Sequence, residues 1–232
     1  MRRFLGYERA LIVTAVEVER AEVLGGLGAD GQAPDALEAG APVVVVACGV
    51  GPAAAAAVTS QFMTMAMRQG APFDVVVSAG IAGGFAGRVE IGGLVVATES
   101  IAADLGAEGP DGYQSVDDLG FGTSRHDADP ALLRQLRQAL PEAVGGPVLT
   151  VSTVTGTAHS KELIEKRHPD AVAEAMEGFG VATAARLWPA AAFGEIRTIS
   201  NAVGPRDRAA WRIPQALATL RETFAILTGR GL

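Results

Sequence analysis

Val43-Val44-Val45-Val46-Ala47 is apolar at every position, and it runs into Cys48-Gly49-Val50-Gly51-Pro52 and the alanine-rich stretch Ala53 to Ala57. A strand with one wet face alternates apolar and polar residues. A run apolar on both sides suits a strand covered above and below by helices. Runs of the same kind recur at Leu11 to Val13, Val75 to Val77, Leu94 to Ala97, Val148 to Val151 and Ile196 to Ile199. Helical patterns lie between and after them. Leu132, Leu133, Leu136 and Leu140 follow Asp129-Pro130, a capping carboxylate and a first-turn proline, and Pro141 stops that helix. Ile213, Leu217, Leu220, Phe224 and Leu227 step by four, three, four and three, which makes one apolar stripe on a C-terminal helix. Strands alternating with helices predict a three-layer α/β/α sandwich around a central mixed, largely parallel sheet.

The chain has 232 residues, 49% of them hydrophobic, which is enough for one domain over residues 1–232 with a full core. A net charge of -7, from 19 Lys+Arg against 26 Asp+Glu, offers no basic field to a phosphate backbone, so nucleic acid is not an expected partner. Cys48 is alone, and His126, His159 and His168 are scattered without zinc-ligand spacing, so neither a disulfide nor a metal is expected. Met1-Arg2-Arg3-Phe4 is followed by Gly6, Tyr7, Glu8 and Arg9 instead of an apolar stretch, and the longest apolar runs are strand-sized. Neither a secretory signal nor a membrane span is expected, and a cytoplasmic protein follows.

Two glycine-rich turns are read after strands, Gly49-Val50-Gly51-Pro52 and Gly80-Ile81-Ala82-Gly83-Gly84. Glycines let backbone N–H groups approach a ligand at the carboxyl ends of strands. Neither turn has dinucleotide or P-loop spacing. Either one alone reads as a plain turn, and together they frame a cleft. Asp104 to Asp129, with Gly106, Gly109, Pro110, Gly112, Gly120 and Gly122 among acidic residues, reads as a long loop whose Tyr113, Leu119 and Phe121 are apolar enough to cover something.

Four segments stand in the order and spacing of one superfamily. They are Thr14-Ala15-Val16-Glu17-Val18-Glu19 after the first strand, the Gly80 to Gly84 segment, Ala175-Met176-Glu177-Gly178 opening a helical stretch, and Ile199-Ser200-Asn201-Ala202-Val203-Gly204 after the last strand. The chain resembles the nucleoside phosphorylase and nucleosidase superfamily over essentially its whole length. Within it the closest likeness is to the futalosine hydrolase family, through Thr150-Val151-Ser152-Thr153-Val154-Thr155-Gly156-Thr157 and through Pro205-Arg206-Asp207 after Gly204.

The resemblance implies a cofactor-free enzyme that hydrolyses the N-glycosidic bond of futalosine, releasing hypoxanthine in menaquinone biosynthesis. Such a reaction passes through an oxocarbenium-like state, so the site must activate water, hold the sugar and stabilise the departing base. By register the water-activating carboxylate is Glu19, with Glu17 its rival; either also suits the first turn of a helix. Glu177 resembles the ribose-binding glutamate, with Met176 beside the sugar, although Met176 also fits a helical apolar pattern with Val172 and Phe179. Gly80 and Ile81 lie near the sugar, and Val154 and Thr155 form the wall of the base.

Asn201 stands where adenine-specific relatives carry an aspartate. Its carbonyl accepts from N7–H and its amide donates to an oxygen at C6, the pattern of a 6-oxopurine. Arg206, Arg208 or Arg212 is a candidate for the carboxylate of the futalosine arm. Phosphorylases of the hexameric group carry an arginine where this chain has Ser78, which disfavours phosphate. Three rivals share the fold: a purine nucleoside phosphorylase, an adenine-cleaving nucleosidase acting on methylthioadenosine and S-adenosylhomocysteine or on aminodeoxyfutalosine, and a catalytically silent nucleoside-binding protein. The resemblance also implies a homodimer or higher homo-oligomer, which the 104–129 segment is suited to join.

Overall fold

The computed structural model describes residues 3–29, 41–110 and 112–229. Strand β1 (Ala10–Thr14) leads into helix α1 (Glu17–Gly26), and β2 (Val43–Ala47) leads into α2 (Pro52–Arg68). Two long strands follow, β3 (Val75–Gly84) and β4 (Leu94–Ala102), then three short ones, β5 (Gly106–Gly109), β6 (Gly112–Ser115) and β7 (Arg125–Asp127). Helices and strands then alternate through α3 (Pro130–Ala139), β8 (Val144–Thr150), α4 (Ala158–Arg167) and β9 (Ala173–Ala175). The chain continues with α5 (Gly178–Ala185), β10 (Ala192–Ala202), a 3-10 turn (Arg208–Ala210) and α6 (Ile213–Leu227).

The continuous apolar runs are split between two faces by the period of a strand. Leu11, Val13, Val44, Val46 and Val76 pack against Ala55 and Met63 of α2 and Val181 and Ala182 of α5. The intervening Ala10, Ile12, Val43, Val45, Val75 and Val77 pack on the other face against Val23 of α1, Leu132 and Leu136 of α3, and Leu220 and Phe224 of α6. This is the expected three-layer arrangement. Each fully buried Val, Leu or Phe contributes about 1.5–3 kcal/mol of transfer free energy, so both layers are needed to hold the sheet. No helix among the described residues is long and apolar enough to cross a membrane.

The sheet is mixed and largely parallel. β1 pairs in parallel with β2 and β3, β3 with β10, β4 with β8, and β8 with β9, while β10–β4, β3–β9 and β4–β7 are antiparallel. Because β10 bonds to both β3 and β4, strands β3, β9, β8, β4 and β10 close on themselves, and β1 and β2 extend from β3. The closed part gathers the ends of β3, β9 and β10.

Three sequence expectations are corrected. Gly80 to Gly84 is not a turn; it is the last half of β3, paired with Arg197 to Ala202 of β10. Its glycines serve close approach of side chains from neighbouring elements. The 104–129 segment is not wholly loop, since β5 and β6 form an antiparallel hairpin and β7 adds to β4. Tyr113 lies under the Arg167 guanidinium, 4.4 Å from it, and Phe121 covers nothing in this chain, being 84% exposed. Lastly, no helix joins Val172, Met176 and Phe179. Val172 precedes β9, Met176 follows it, and α5 starts at Gly178 with Glu177 as its N-cap residue.

Candidate active site

A cleft of about 250 Å³ lies at the carboxyl ends of β3, β9 and β10. Glu19, Ile81, Val154, Met176, Glu177 and Asn201 line it, joined by Val50, Glu174, Trp211 and Ile213. A smaller hollow continues from it past Gly83, Thr155, Glu174 and Asn201 to Arg206 and Trp211. The segments separated in sequence therefore converge, and Thr155 sits in the extension instead of the main cleft.

Glu19 is held by backbone. The N–H groups of Ala15 and Val16 donate to its Oε2 at 2.9 and 3.1 Å, and the N–H of Ile81 donates to its Oε1 at 2.9 Å. Val16 at the N-cap of α1 gives no side-chain cap, so the carboxylate three residues on satisfies those orphan donors and faces the positive end of the helix. Oε2 is saturated by two donors, and Oε1 keeps a lone pair for another. Burial raises the carboxyl pKa above its ordinary value, against the Ile81 N–H and the charge of Arg197. Glu17 takes no part; it pairs with Arg20 at 3.2 Å on the exposed side of α1.

Behind Glu19 lies a buried ionic cluster that the sequence reading missed. Arg197 of β10, 1% exposed, donates from Nε to Glu195 Oε1 at 2.8 Å, from Nη1 to Glu177 Oε2 at 3.4 Å and from Nη2 to Ser78 Oγ at 2.9 Å. Ser100 Oγ donates to the second oxygen of Glu195. Burial opposes the charge on Arg197, but Glu195 and Glu177 outweigh it and raise its pKa. Gly80 sits opposite Arg197 in the ladder, and a Cβ on it would lie 2.5 Å from Glu19 Oε1 and 3.1 Å from Arg197 Nη1. The missing side chain is what lets the α1 carboxylate and the β10 guanidinium meet over β3.

Glu177 is placed from a second side. Gly51, whose φ of 100° is open to glycine and costly for other residues, turns its N–H to Glu177 Oε1 at 3.3 Å. Both hydrogen bonds to Glu177 are long, so its oxygens are free to take shorter ones from a ligand. Asn201 follows a bulge in β10 at Ser200. Its Oδ1 lies 2.8 Å from Ser200 Oγ and its Nδ2 donates to Ala202 O at 3.0 Å, which fixes which end of the amide is which.

Other candidates are redistributed. Ser78 is buried beneath Arg197 and does not line the cleft. Arg206 lines the Asn201 end, with its guanidinium 5.5 Å from the Trp211 ring, while Arg208 and Arg212 are off the lining. Thr155 does not offer its N–H to the cleft, because that N–H donates to Glu174 Oε1 at 2.8 Å and its hydroxyl to Oε2 at 2.5 Å.

Residues 12–230 match the model of the phosphorylase superfamily. The chain is 50% identical to futalosine hydrolase of Streptomyces coelicolor over 94% of both chains. It is 44% identical to futalosine hydrolase of Acidothermus cellulolyticus, over 94% of this chain and 90% of that one. The chain belongs to the futalosine hydrolase family of the phosphorylase superfamily. The native structure of futalosine hydrolase of Helicobacter pylori superposes with a TM-score of 0.78, covering 96% of this chain and 97% of that one at 16% identity, a likeness of fold. In this member of the futalosine hydrolase family, the motif residues Glu19, Met176, Glu177 and Asn201 meet in one cleft. The supports around them, Glu195, Arg197 and Ser100, lie outside any motif read from the sequence. Their one signal is Glu195-Ile196-Arg197, opposite charges two apart on the same face of a strand that is otherwise buried.

Proposed function

We propose that the chain hydrolyses the N-glycosidic bond of futalosine, giving hypoxanthine and dehypoxanthinyl futalosine in menaquinone biosynthesis. The observation that carries this reading is 50% identity over 94% of both chains to a futalosine hydrolase. The cleft supports it. Glu19 Oε1, with its open lone pair, takes a proton from the attacking water, and its raised pKa makes it a better acceptor than an ordinary glutamate. Glu177 accepts from the ribose hydroxyls, with Met176 beside the sugar and the Gly80-Ile81 stretch of β3 below it. Arg197 does not touch substrate; it orients Glu177 through Nη1. Asn201 donates to O6 and accepts from N7–H as the base leaves, with Val154 and Thr155 beside it.

Water, not phosphate, is the acceptor in this reading, because this chain has Ser78 where phosphorylases of the hexameric group carry an arginine. The arginine expected for the futalosine carboxylate is not assigned, since Arg206 lies at the base end of the cleft. We read the protein as a cytoplasmic homodimer, with exposed Phe121 on the 104–129 segment as one apolar contact for a second copy. Sedimentation of the wild type and of Phe121→Ser tests the dimer, and an unchanged single-chain mass for the wild type refutes it.

The test of function is release of free base from futalosine, inosine, methylthioadenosine and aminodeoxyfutalosine, each with and without phosphate. Hypoxanthine from futalosine at a phosphate-independent rate is expected. Adenine release would overturn the 6-oxopurine reading, phosphate dependence would indicate a phosphorylase, and binding without product would indicate a binding protein.

A further inference from the structure

Glu174 is buried in β9, yet it lines both the cleft and its extension. In the ladder Glu174 is the partner of Gly83, and on the other side of β3 Gly83 is the partner of Asn201. Residues in register share a face of a sheet, so Glu174, Gly83 and Asn201 form one row with the central side chain missing. A Cβ on Gly83 would lie 3.3 Å from Asn201 Nδ2. Two strand spacings separate the outer members, about 10 Å between their Cα atoms. The row is a carboxylate and an amide with a glycine between them, and Val203 Cγ2 would lie 3.1 Å from a Cβ added there.

Glu174 is fixed as an acceptor. An N–H can only donate, and Thr155 N–H donates to Oε1 at 2.8 Å, while Thr155 Oγ donates to Oε2 at 2.5 Å. Burial raises the Glu174 pKa, and these donors favour the carboxylate form against it. These two donors leave each oxygen with a lone pair. No cation or further donor to Glu174 is found among the described residues, so a buried acceptor waits for a donor from the cleft.

We propose that Glu174 is a specificity residue that reads N1–H of a 6-oxopurine while Asn201 reads O6 and N7 across Gly83. This rests on the reading of the cleft as a purine nucleosidase site. A 6-oxopurine presents a donor at N1 and acceptors at O6 and N7 along one edge. A 6-aminopurine presents an acceptor at N1, which would face a carboxylate with no proton between them. Asn201 alone, with a donor and an acceptor on one amide, discriminates less sharply than the pair.

The test measures calorimetric binding of hypoxanthine, N1-methylhypoxanthine and adenine to the wild type and to Glu174→Gln, beside kcat/KM for futalosine and aminodeoxyfutalosine. Loss of a charge-assisted hydrogen bond predicts that N1 methylation weakens wild-type binding by about tenfold or more and that this penalty largely disappears in the variant. The Gln carbonyl, held by Thr155 N–H, turns its amide N–H to the base, so the preference for futalosine over aminodeoxyfutalosine shrinks by about tenfold or more. Equal binding of hypoxanthine and its N1-methyl derivative by the wild type overturns the proposal with no variant needed. An unchanged oxo-to-amino preference in a folded Glu174→Gln protein overturns it while leaving the hydrolase reading intact. A wild type that binds none of the three bases overturns both.

Discussion

The Arg197 guanidinium reaches two carboxylates from opposite sides, Glu195 at 2.8 Å and Glu177 at 3.4 Å, and all three groups are buried. Glu195 is structural and lies away from the cleft, whereas Glu177 lines it. One fork thus ties a ligand-facing carboxylate to the interior of the sheet. Removing the guanidinium strands two buried acidic groups, which costs about 3–5 kcal/mol. Arg197→Met is expected to lower Tm by about 10 °C, given a few degrees per kcal/mol at this chain length. Lysine keeps the charge but not the fork, so Arg197→Lys also loses stability and raises KM through Glu177. Thermal melts and kinetics of the two variants decide it, and a methionine variant with the wild-type Tm contradicts the account.

Glu19 must be ionised to take a proton from water. Burial raises its pKa, so rate is full above that pKa and is lost as pH falls through it. The acid limb of the kcat profile is therefore expected above the ordinary glutamate value of about 4.3. Glu19→Gln is expected to reduce kcat by about 10²–10⁴-fold with little change in affinity for the nucleoside. A variant that retains turnover and the same acid limb would remove Glu19 from the role of base.

Cys48 sits between the cleft and the core and is shielded from reaction. Burial pushes its thiol up to about 11, with Glu177 adding to the effect. Thiolate is the reactive form, so at neutral pH alkylation by iodoacetamide is expected to be about 100-fold slower than for a free cysteine. Denaturant should restore ordinary reactivity. Intact mass against time reads both rates, and prompt labelling of the native protein would show that the pocket around Cys48 opens.

The fold was legible because burial on both faces removes polar residues from β1, β2 and the first half of β3, leaving runs such as Val43 to Ala47 that few other environments permit. Glu19 and Asn201 were legible because each lies just past such a run, in register with a known order of motifs. Glycine misled the reading in two places. Gly80 and Gly83 lack side chains so that Glu19, Arg197 and Asn201 can approach, a reason that sequence cannot separate from a turn. Gly106, Gly109 and Gly112 belong to a short hairpin whose exposed strands bury too little to leave an apolar signature. Glu174 escaped notice because its meaning depends on pairing with Gly83, a partner far away in the chain.

Gly80 offers a test of geometry without loss of any polar group. Its backbone lies in a regular part of β3, paired with Arg197, so alanine is conformationally acceptable there. The added Cβ, however, would fall 2.5 Å from Glu19 Oε1, and that carboxylate is pinned by three backbone N–H groups and cannot swing aside without releasing them. Either Glu19 moves or β3 bows away from α1, and in both cases the oxygen with the open lone pair leaves its place. A misplacement on the order of 1 Å costs about 10²-fold in rate. Gly80→Ala is therefore expected to lose about 10²-fold in kcat, while Tm falls by only a few degrees, since the lost hydrogen bonds are worth about 0.5–1.5 kcal/mol each. Kinetics and a thermal melt on the same preparation separate these effects. Near-wild-type kcat in a folded Gly80→Ala protein would mean that the position of Glu19 over β3 does not set the rate.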